Sequence, residues 1–220
     1  MKITYLGHAC FLLETQAGKR ILIDPYNEQV GYPMQPVSAD LVLISHEHFD
    51  HNHVALASGS PRVIRGLQGE GRDWADVRET VDGIEIRTVR TYHDDTQGSQ
   101  RGKNAMFWVV ADGLRILHAG DLGHALDPQA ATQAQNPDIF LVPVGGYYTI
   151  DAATADRVIA QINPRVVIPM HYRTEVNRDW PISPLDPFLA NKQNIKRVGH
   201  TVEIQDLPAT REIWVMDWKA

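Results

Sequence analysis

Cysteine is almost missing from this chain: Cys10 is the only one in 220 residues. A lone thiol builds neither an intrachain disulfide framework nor a thiolate zinc site, so any bound metal is expected on nitrogen and oxygen. Positive charge is also in short supply. Asp and Glu outnumber Lys and Arg by 27 to 21, a net charge of −6, which gives no global field for gripping a nucleic acid. No apolar run approaches the roughly 20 residues that span a bilayer. The opening MKITYLGHACFLL is broken by Gly7 and His8, with no small-residue cleavage pattern behind it. Nucleic acid and membrane are therefore not expected as partners, and a cytoplasmic location is. Low-complexity tracts and Pro/Gly/Ser linkers are absent as well, so residues 1–220 read as a single domain. Its 43% hydrophobic and 22% charged residues suffice for an ordinary globular core.

What is present is mostly strand. KITYL (2–6), CFLLET (10–15) and KRILIDP (19–25) predict three strands, with QAGK as the turn between the last two. LVLIS (41–45), RVI (62–64), IEIRTVRTY (84–92) and AMFWVVA (105–111) follow. Asp112-Gly113 is a hairpin signal leading into LRILHAG (114–120). IFLVPVG (139–145) and RVVIPM (165–170) read as buried strands, and VEIQ (202–205) and EIWVMDW (212–218) close the chain with strand character. Between the two buried strands, TIDAATADRVIAQI (149–162) has helical spacing, with Thr149 or Asp151 as its cap. Many strands and few helices predict sheets with helices packed outside them.

The stretch SHEHFDHNH (45–53) concentrates metal-capable side chains as His46, His48, Asp50 and His51. Imidazole nitrogen and carboxylate oxygen suit zinc, manganese or iron. Alternation in an extended loop puts His46 and His48 on one side, able to grip one ion, while Asp50 and His51 can turn toward a second. Local ligands complete neither ion. Other apolar strands, however, run into His93, Asp121 and His171, and strand ends beside loops are where rigid scaffolds place chemistry. A surface loop rich in histidine is the alternative, and the three distant strand-end partners weigh against it.

GHACFLLE (7–14), ILIDP (21–25), HEHFDH (46–51), His93, HAGDLGH (118–124), PVGGYYTID (143–151) and IPMHY (168–172) occur here in an order that resembles the metallo-β-lactamase-fold hydrolases. The likeness is greatest to the branch of ascorbate-6-phosphate lactonase-like proteins and small metal-dependent hydrolases. It implies an α/β (α+β) fold: a four-layer αββα sandwich of mixed sheets with the metals at one edge. It implies that His46, His48 and His93 hold one divalent ion, that Asp50, His51 and His171 hold another, and that Asp121 bridges them. True β-lactamases carry cysteine or histidine at the bridge, and the oxygen-reducing di-iron branch has glutamate where His48 stands. Antibiotic hydrolysis is therefore not expected.

Asp24 matches the family aspartate that supports the histidine loop; a turn before Pro25 would be its other role. Glu47 is expected to face solvent or a nearby cation. The resemblance implies that His8, in GHACF, lies near the metals in a substrate-contacting or supporting role; His124, three residues after Asp121, is expected to approach the site. Alternation sends His118 to the opposite sheet face from Asp121. His53 and His200 read as surface or packing residues. Arg101, Lys103 and Asn104 follow His93 in a polar loop and are candidates for binding substrate, as is Tyr147 in the Gly145-Gly146 turn. The expected activity is that of a dinuclear metal-dependent hydrolase with Asp50 and Asp121 as its catalytic carboxylates. It would use a metal-bridging hydroxide on an ester or lactone of a small anionic metabolite. Zinc is the first expectation for the metal, then manganese or iron. Phosphodiester or RNA cleavage on the same ligands is the rival chemistry, and a non-catalytic metal- or partner-binding protein the rival class. The sequence is compatible with a homo-oligomer.

Overall fold

A strand with one apolar face needs a cover, and two sheets provide it for each other. The computed structural model describes residues 1–33 and 35–219. Its first sheet has six strands, ordered Thr201–Glu203, Lys2–Gly7, Cys10–Glu14, Arg20–Ile23, Leu41–Ile44 and Arg62–Arg65. The second has eight: Arg78–Val81, Ile84–Tyr92, Lys103–Ala111, Leu114–His118, Ile139–Pro143, Val166–Met170, Glu212–Met216 and Ile195–Gly199. Hairpins join the early strands of each sheet, including the Asp112-Gly113 turn, where both residues have positive φ. Ile139–Pro143 and Val166–Met170 pair in parallel and are buried at every residue, as continuous apolar runs covered on both faces require.

One hydrophobic cluster extends from Met1 to Met216 and takes in Phe11, Phe107, Trp108 and Phe140. The helix Ala152–Ile162 starts on Asp151, whose carboxylate accepts from Thr154 N–H at 2.8 Å. It buries Ala155, Val158, Ile159 and Ile162, one face of a 3.6-residue period. The shorter helix Pro128–Gln133 is capped by Asp127 and takes the Trp108 Nε1–H on its Gln133 carbonyl at 3.0 Å. The outer face of the first sheet is covered more thinly. Tyr26, Val30, Tyr32 and Leu56 pack over Cys10, Leu12, Leu22 and Val42, carried in part by the 3₁₀ turns Glu28–Val30 and Val54–Leu56. The four-layer αββα order is present, with this outer layer reduced to single turns and irregular chain.

Strand direction builds the site. Arg20–Ile23 and Leu41–Ile44 are parallel. In the second sheet Ile84–Tyr92 and Leu114–His118 are each antiparallel to Lys103–Ala111 and so run the same way. Leu114–His118 is in turn linked by parallel pairing through Ile139–Pro143 to Val166–Met170. The C-terminal ends of five of these six strands, all but Ile139–Pro143, carry the chain into Asp24, the 45–51 loop, His93, Asp121 and His171 at one edge of the sandwich.

Trp108 joins the sandwich core to its helical cover, so Trp108→Ala is expected to lower stability by about 3–5 kcal/mol through cavity formation. Urea denaturation measures this; a loss below about 1 kcal/mol would contradict that packing role.

Candidate metal centre

The centre starts from Asp24, which has no exposed surface and a φ of 48°. Its Oδ1 accepts the Ser45 N–H at 2.8 Å, and its Oδ2 accepts the Ser45 hydroxyl at 2.6 Å. Because the hydroxyl proton goes to Asp24, Ser45 Oγ must accept from His46 Nδ1–H, 2.9 Å away. The remaining ring nitrogen of His46, Nε2, then presents a lone pair to the site. His51 Nδ1 also meets Asp24 Oδ2, at 3.0 Å, which leaves His51 Nε2 facing inward. Asp24 therefore supports the histidine loop rather than merely turning the chain. Glu47, between two inward histidines, stands in the wall of the cleft and pairs with Arg65 at 2.6 and 2.8 Å.

His46, His48 and His93 form one group whose ligand atoms lie within 4.8 Å of one another. His46 Nε2 and His48 Nδ1 are 3.1 Å apart, close to the roughly 3.3 Å that separates two nitrogens on one tetrahedral zinc. Asp50, His51 and His171 form a second group, joined by His8. Asp121 lies between the two. Its Oδ2 is 3.1 Å from His93 Nε2, 3.4 Å from His171 Nε2 and 3.9 Å from His46 Nε2. Its Oδ1 is 3.1 Å from His51 Nε2. All seven residues expected as ligands are thus brought together, with Asp121 in reach of both groups.

The chemistry of the cluster fits divalent ions. His51 Nε2, His171 Nε2 and Asp121 Oδ1 are buried without a hydrogen-bond partner, an arrangement that costs free energy unless a cation collects them. Burial favours neutral His51, yet Asp121, Asp50 and Asp24 outweigh it and hold the imidazole well above its ordinary value. Burial, followed by the neighbouring His51, pushes His46 well below its own. Burial would raise Asp121, but His171, His51 and His93 hold its carboxyl well below the usual range. A divalent ion can take the place of the proton that these carboxylates hold on His51.

His8 supports the second group. Burial and the adjacent His171 bring its imidazole down to about 4, so it is neutral at pH 7. Its Nε2 lies 3.0 Å from Asp50 Oδ2, and since an ionised carboxylate only accepts, that nitrogen is the donor. The His8 carbonyl accepts the His171 N–H at 2.8 Å. His8, Asp24 and His171 all have left-handed φ, of 57°, 48° and 51°. Such strain in non-glycine residues clusters at functional sites.

Other expectations are corrected. Asn104 does not reach the cleft: it is fully buried, donates to Thr91 Oγ1 and the Ala119 carbonyl, and accepts the Asp121 N–H at 3.0 Å. It holds the Asp121 backbone from behind. Lys103 points away and donates to the Arg72 carbonyl and Asp73 beside the Trp74 ring, because neighbouring strand residues face opposite ways. His124 accepts the Tyr92 N–H at 3.0 Å and donates to the Ala125 carbonyl, which fixes the strand end that carries His93. Tyr147 is 63% exposed, and its neighbour Tyr148 lines the cleft instead. His118 is not turned to the face opposite Asp121: it lies between the sheets, bonds to the Ala9 carbonyl at 2.8 Å, stands edge-on to Phe11 in the other sheet and comes within 3.8 Å of Asp24. Gly120, at φ 56°, breaks the alternation that would have separated it from Asp121. His53 and His200 are half-buried packing residues. Sequence reasoning missed Ser45, whose signal is a hydroxyl beside a ligand histidine, and Trp180, which no local pattern marks.

The β-lactamase superfamily domain matches residues 2–171, a span that stops at the last of these ligands. A UPF0173 metal-dependent hydrolase from Archaeoglobus fulgidus is 34% identical over 93% of this chain and 94% of its own. One from Pyrococcus abyssi is 32% identical, over 97% and 99%. This chain belongs to the UPF0173 metal-dependent hydrolases. A crystal structure from Thermotoga maritima, described as that of a Zn-dependent hydrolase of the metallo-β-lactamase superfamily, is similar at 38% identity. Its TM-score is 0.80, over 98% of this chain and 97% of that one.

If the two groups of this UPF0173 hydrolase each take an ion, Asp121→Ala should impair both sites together, whereas His93→Ala should weaken chiefly one. Metal titration of chelator-stripped protein distinguishes them; equal single-site losses would remove Asp121 from the bridge. Asp24→Ala leaves Ser45 and His51 without their acceptor and should weaken metal binding about 10–100-fold. Competition with a chromophoric chelator reads that loss, and unchanged affinity would show that the two histidines hold their tautomers without Asp24.

Proposed function

We propose that this chain is a dinuclear hydrolase acting on an ester or lactone bond of a small anionic metabolite. The observation that carries the reading is the placement of Asp121 between two ligand groups on the floor of an open cleft of about 660 Å³. That size suits a small molecule. His46, His48, His93 and Asp121 would hold one ion; Asp50, His51, His171 and Asp121 would hold the other. Zinc, with manganese or iron as the next choices, fits nitrogen and oxygen ligands without thiolate. Two divalent ions supply Lewis acidity toward a reacting carbonyl and a hydroxide-level nucleophile near neutral pH.

The chain's own residues do the rest. Asp50 is ionised at neutral pH: burial opposes this, but His51 and His8 outweigh it. With Oδ2 held by His8, the Asp50 carboxylate is fixed in the cleft wall, where it can accept a proton from the attacking water. Phe49, Tyr148 and Trp180 line the same cleft and offer apolar surface to a bound substrate. Asn104 and Ser45 keep the floor rigid, so that ligand geometry is set before substrate arrives. The proposed partner is a small molecule rather than a nucleic acid or membrane. Among the described residues, no helix is long and apolar enough to cross a membrane.

The test compares metal-loaded and chelator-stripped protein on 4-nitrophenyl butyrate, a γ-lactone and bis(4-nitrophenyl) phosphate. Stripping should abolish turnover, and Zn²⁺ or Mn²⁺ should restore it, with ester or lactone cleaved in preference to phosphodiester. A preference for the phosphodiester would reassign the chemistry. Two bound ions with no turnover of any probe would favour a metal-binding protein without catalysis.

A further inference from the structure

The loop that follows His93 is wrapped around a single carboxylate. Asp94, 3% exposed, accepts the N–H groups of Thr96, Gly98, Gln100 and Arg101 at 2.9, 2.8, 3.0 and 2.7 Å, and the Thr96 hydroxyl at 2.7 Å. The loop closes on itself through Gly102 N–H to the Gly98 carbonyl and His93 N–H to the Gly102 carbonyl, both at 3.0 Å. Gly98 sits at φ 78°, where a Cβ would come within 2.8 Å of the Gly102 oxygen and 2.9 Å of the Tyr92 ring, so only glycine fits there. A turn this heavily bonded is a rigid platform, and what it presents is Arg101.

The Arg101 guanidinium lies 5.7 Å from the Tyr148 ring centre and 6.0 Å from that of Tyr147. Together with His48, His93, Asp121 and Trp180 it lines the metal cleft, and it is the one Lys or Arg among the described residues that does so. Nearby cations are engaged elsewhere: Arg65 with Glu47 and Lys103 with Asp73. Among the described residues Arg101 has no carboxylate within ion-pair distance. The cleft's own carboxylates, Asp50 and Asp121, face the candidate metal site rather than the half-buried guanidinium, whose charge is therefore left to an anionic group on a bound molecule. Stacking on tyrosine alone does not require that position.

We propose that Arg101 selects the substrate by gripping an oxyanion remote from the reacting bond, and that Asp94 is a positioning residue that holds it there. This rests on the hydrolase reading above and adds to it the residue that decides substrate charge. A guanidinium fork matches a carboxylate or phosphate by two parallel hydrogen bonds.

The experiment uses metal-loaded protein with a matched pair of probes, neutral 4-nitrophenyl butyrate and anionic mono-4-nitrophenyl glutarate. Arg101→Met should lower the anionic-to-neutral ratio of kcat/KM by about 10- to 150-fold, the loss falling on KM for the glutarate ester. Arg101→Lys should recover part of it, since charge remains but the fork is lost. Asp94→Asn should lower the same ratio by a smaller factor, and Lys103→Met should leave it unchanged. Equal losses on both esters, or none on either, with Arg101→Met would overturn the assignment. Equal losses with Asp94→Asn would move its effect to His93 and end the positioning role. If the wild type cleaves neither ester, carboxylic ester hydrolysis fails as the function, and calorimetric titration with 4-phenylbutyrate then decides Arg101 separately. Weaker binding by Arg101→Met than by wild type supports the anion role; equal binding overturns it.

Discussion

The hydrogen bonds accepted by the Asp24 carboxylate are the constraint on which the metal centre depends. The group has no solvent contact and is filled by Ser45 N–H, Ser45 O–H and His51 Nδ1. Direct contact fixes His51; the Ser45 hydroxyl passes the same constraint to His46. One carboxylate thereby turns a lone pair from each of the two ligand groups toward the centre, which is what metal binding asks of histidine. Asparagine could not do the same, because its amide N–H₂ would point a donor at donors. The backbone accepts strain to put the carboxylate there, with Asp24 left-handed at the end of its strand.

Beyond that contact, topology carries the design. Five strands pointing one way deliver their following residues to one edge, and two sheets packed face to face bring the edges within ligand distance. The link between the sheets at this edge is direct: His171, after a strand of the second sheet, donates its N–H to the carbonyl of His8, after a strand of the first. Sheet packing and metal geometry are therefore coupled, and a shift of one sheet over the other would separate Asp50 and His51 from Asp121 and His171.

The sequence made the candidate ligands legible because each lies at or just beyond a strand end and each has a side chain with few other reasons to be gathered there. Buried strands were legible for a related reason: Ile139–Pro143 and Val166–Met170 are unbroken apolar runs. The edge strands Arg78–Val81 and Ile195–Gly199 were not, since largely exposed residues such as RETV and IKRVG carry little alternation and are strands through backbone pairing alone. Nearness in sequence misled at the cleft. Lys103 and Asn104 adjoin the loop that holds Arg101, but the strand that begins at Lys103 turns one outward and one into the core. Trp180 reaches the cleft from a distant turn that has no periodicity to read.

Asp24, Asp50 and Asp121 are identical in sequence, and hydrogen-bond saturation is what sorts their tasks. Asp24 has protein donors on both oxygens and none of its capacity faces the cleft, so it is scaffold. Asp121 is held through its backbone by Asn104, while its buried Oδ1 makes no well-formed hydrogen bond, although His51 Nε2 stands 3.1 Å away; that oxygen is available to ions. Asp50 falls between, with Oδ2 committed to His8 and the residue still in the cleft wall. A carboxylate held at one oxygen keeps its orientation while the other can accept a proton or touch an ion, which is what the double role proposed for Asp50, ligand and base, needs. The division of labour is therefore set by the donors that His8 and Ser45 supply, and by the amide oxygen with which Asn104 accepts the Asp121 N–H, rather than by the aspartates themselves. Those partner residues are where the different tasks of the three aspartates are set.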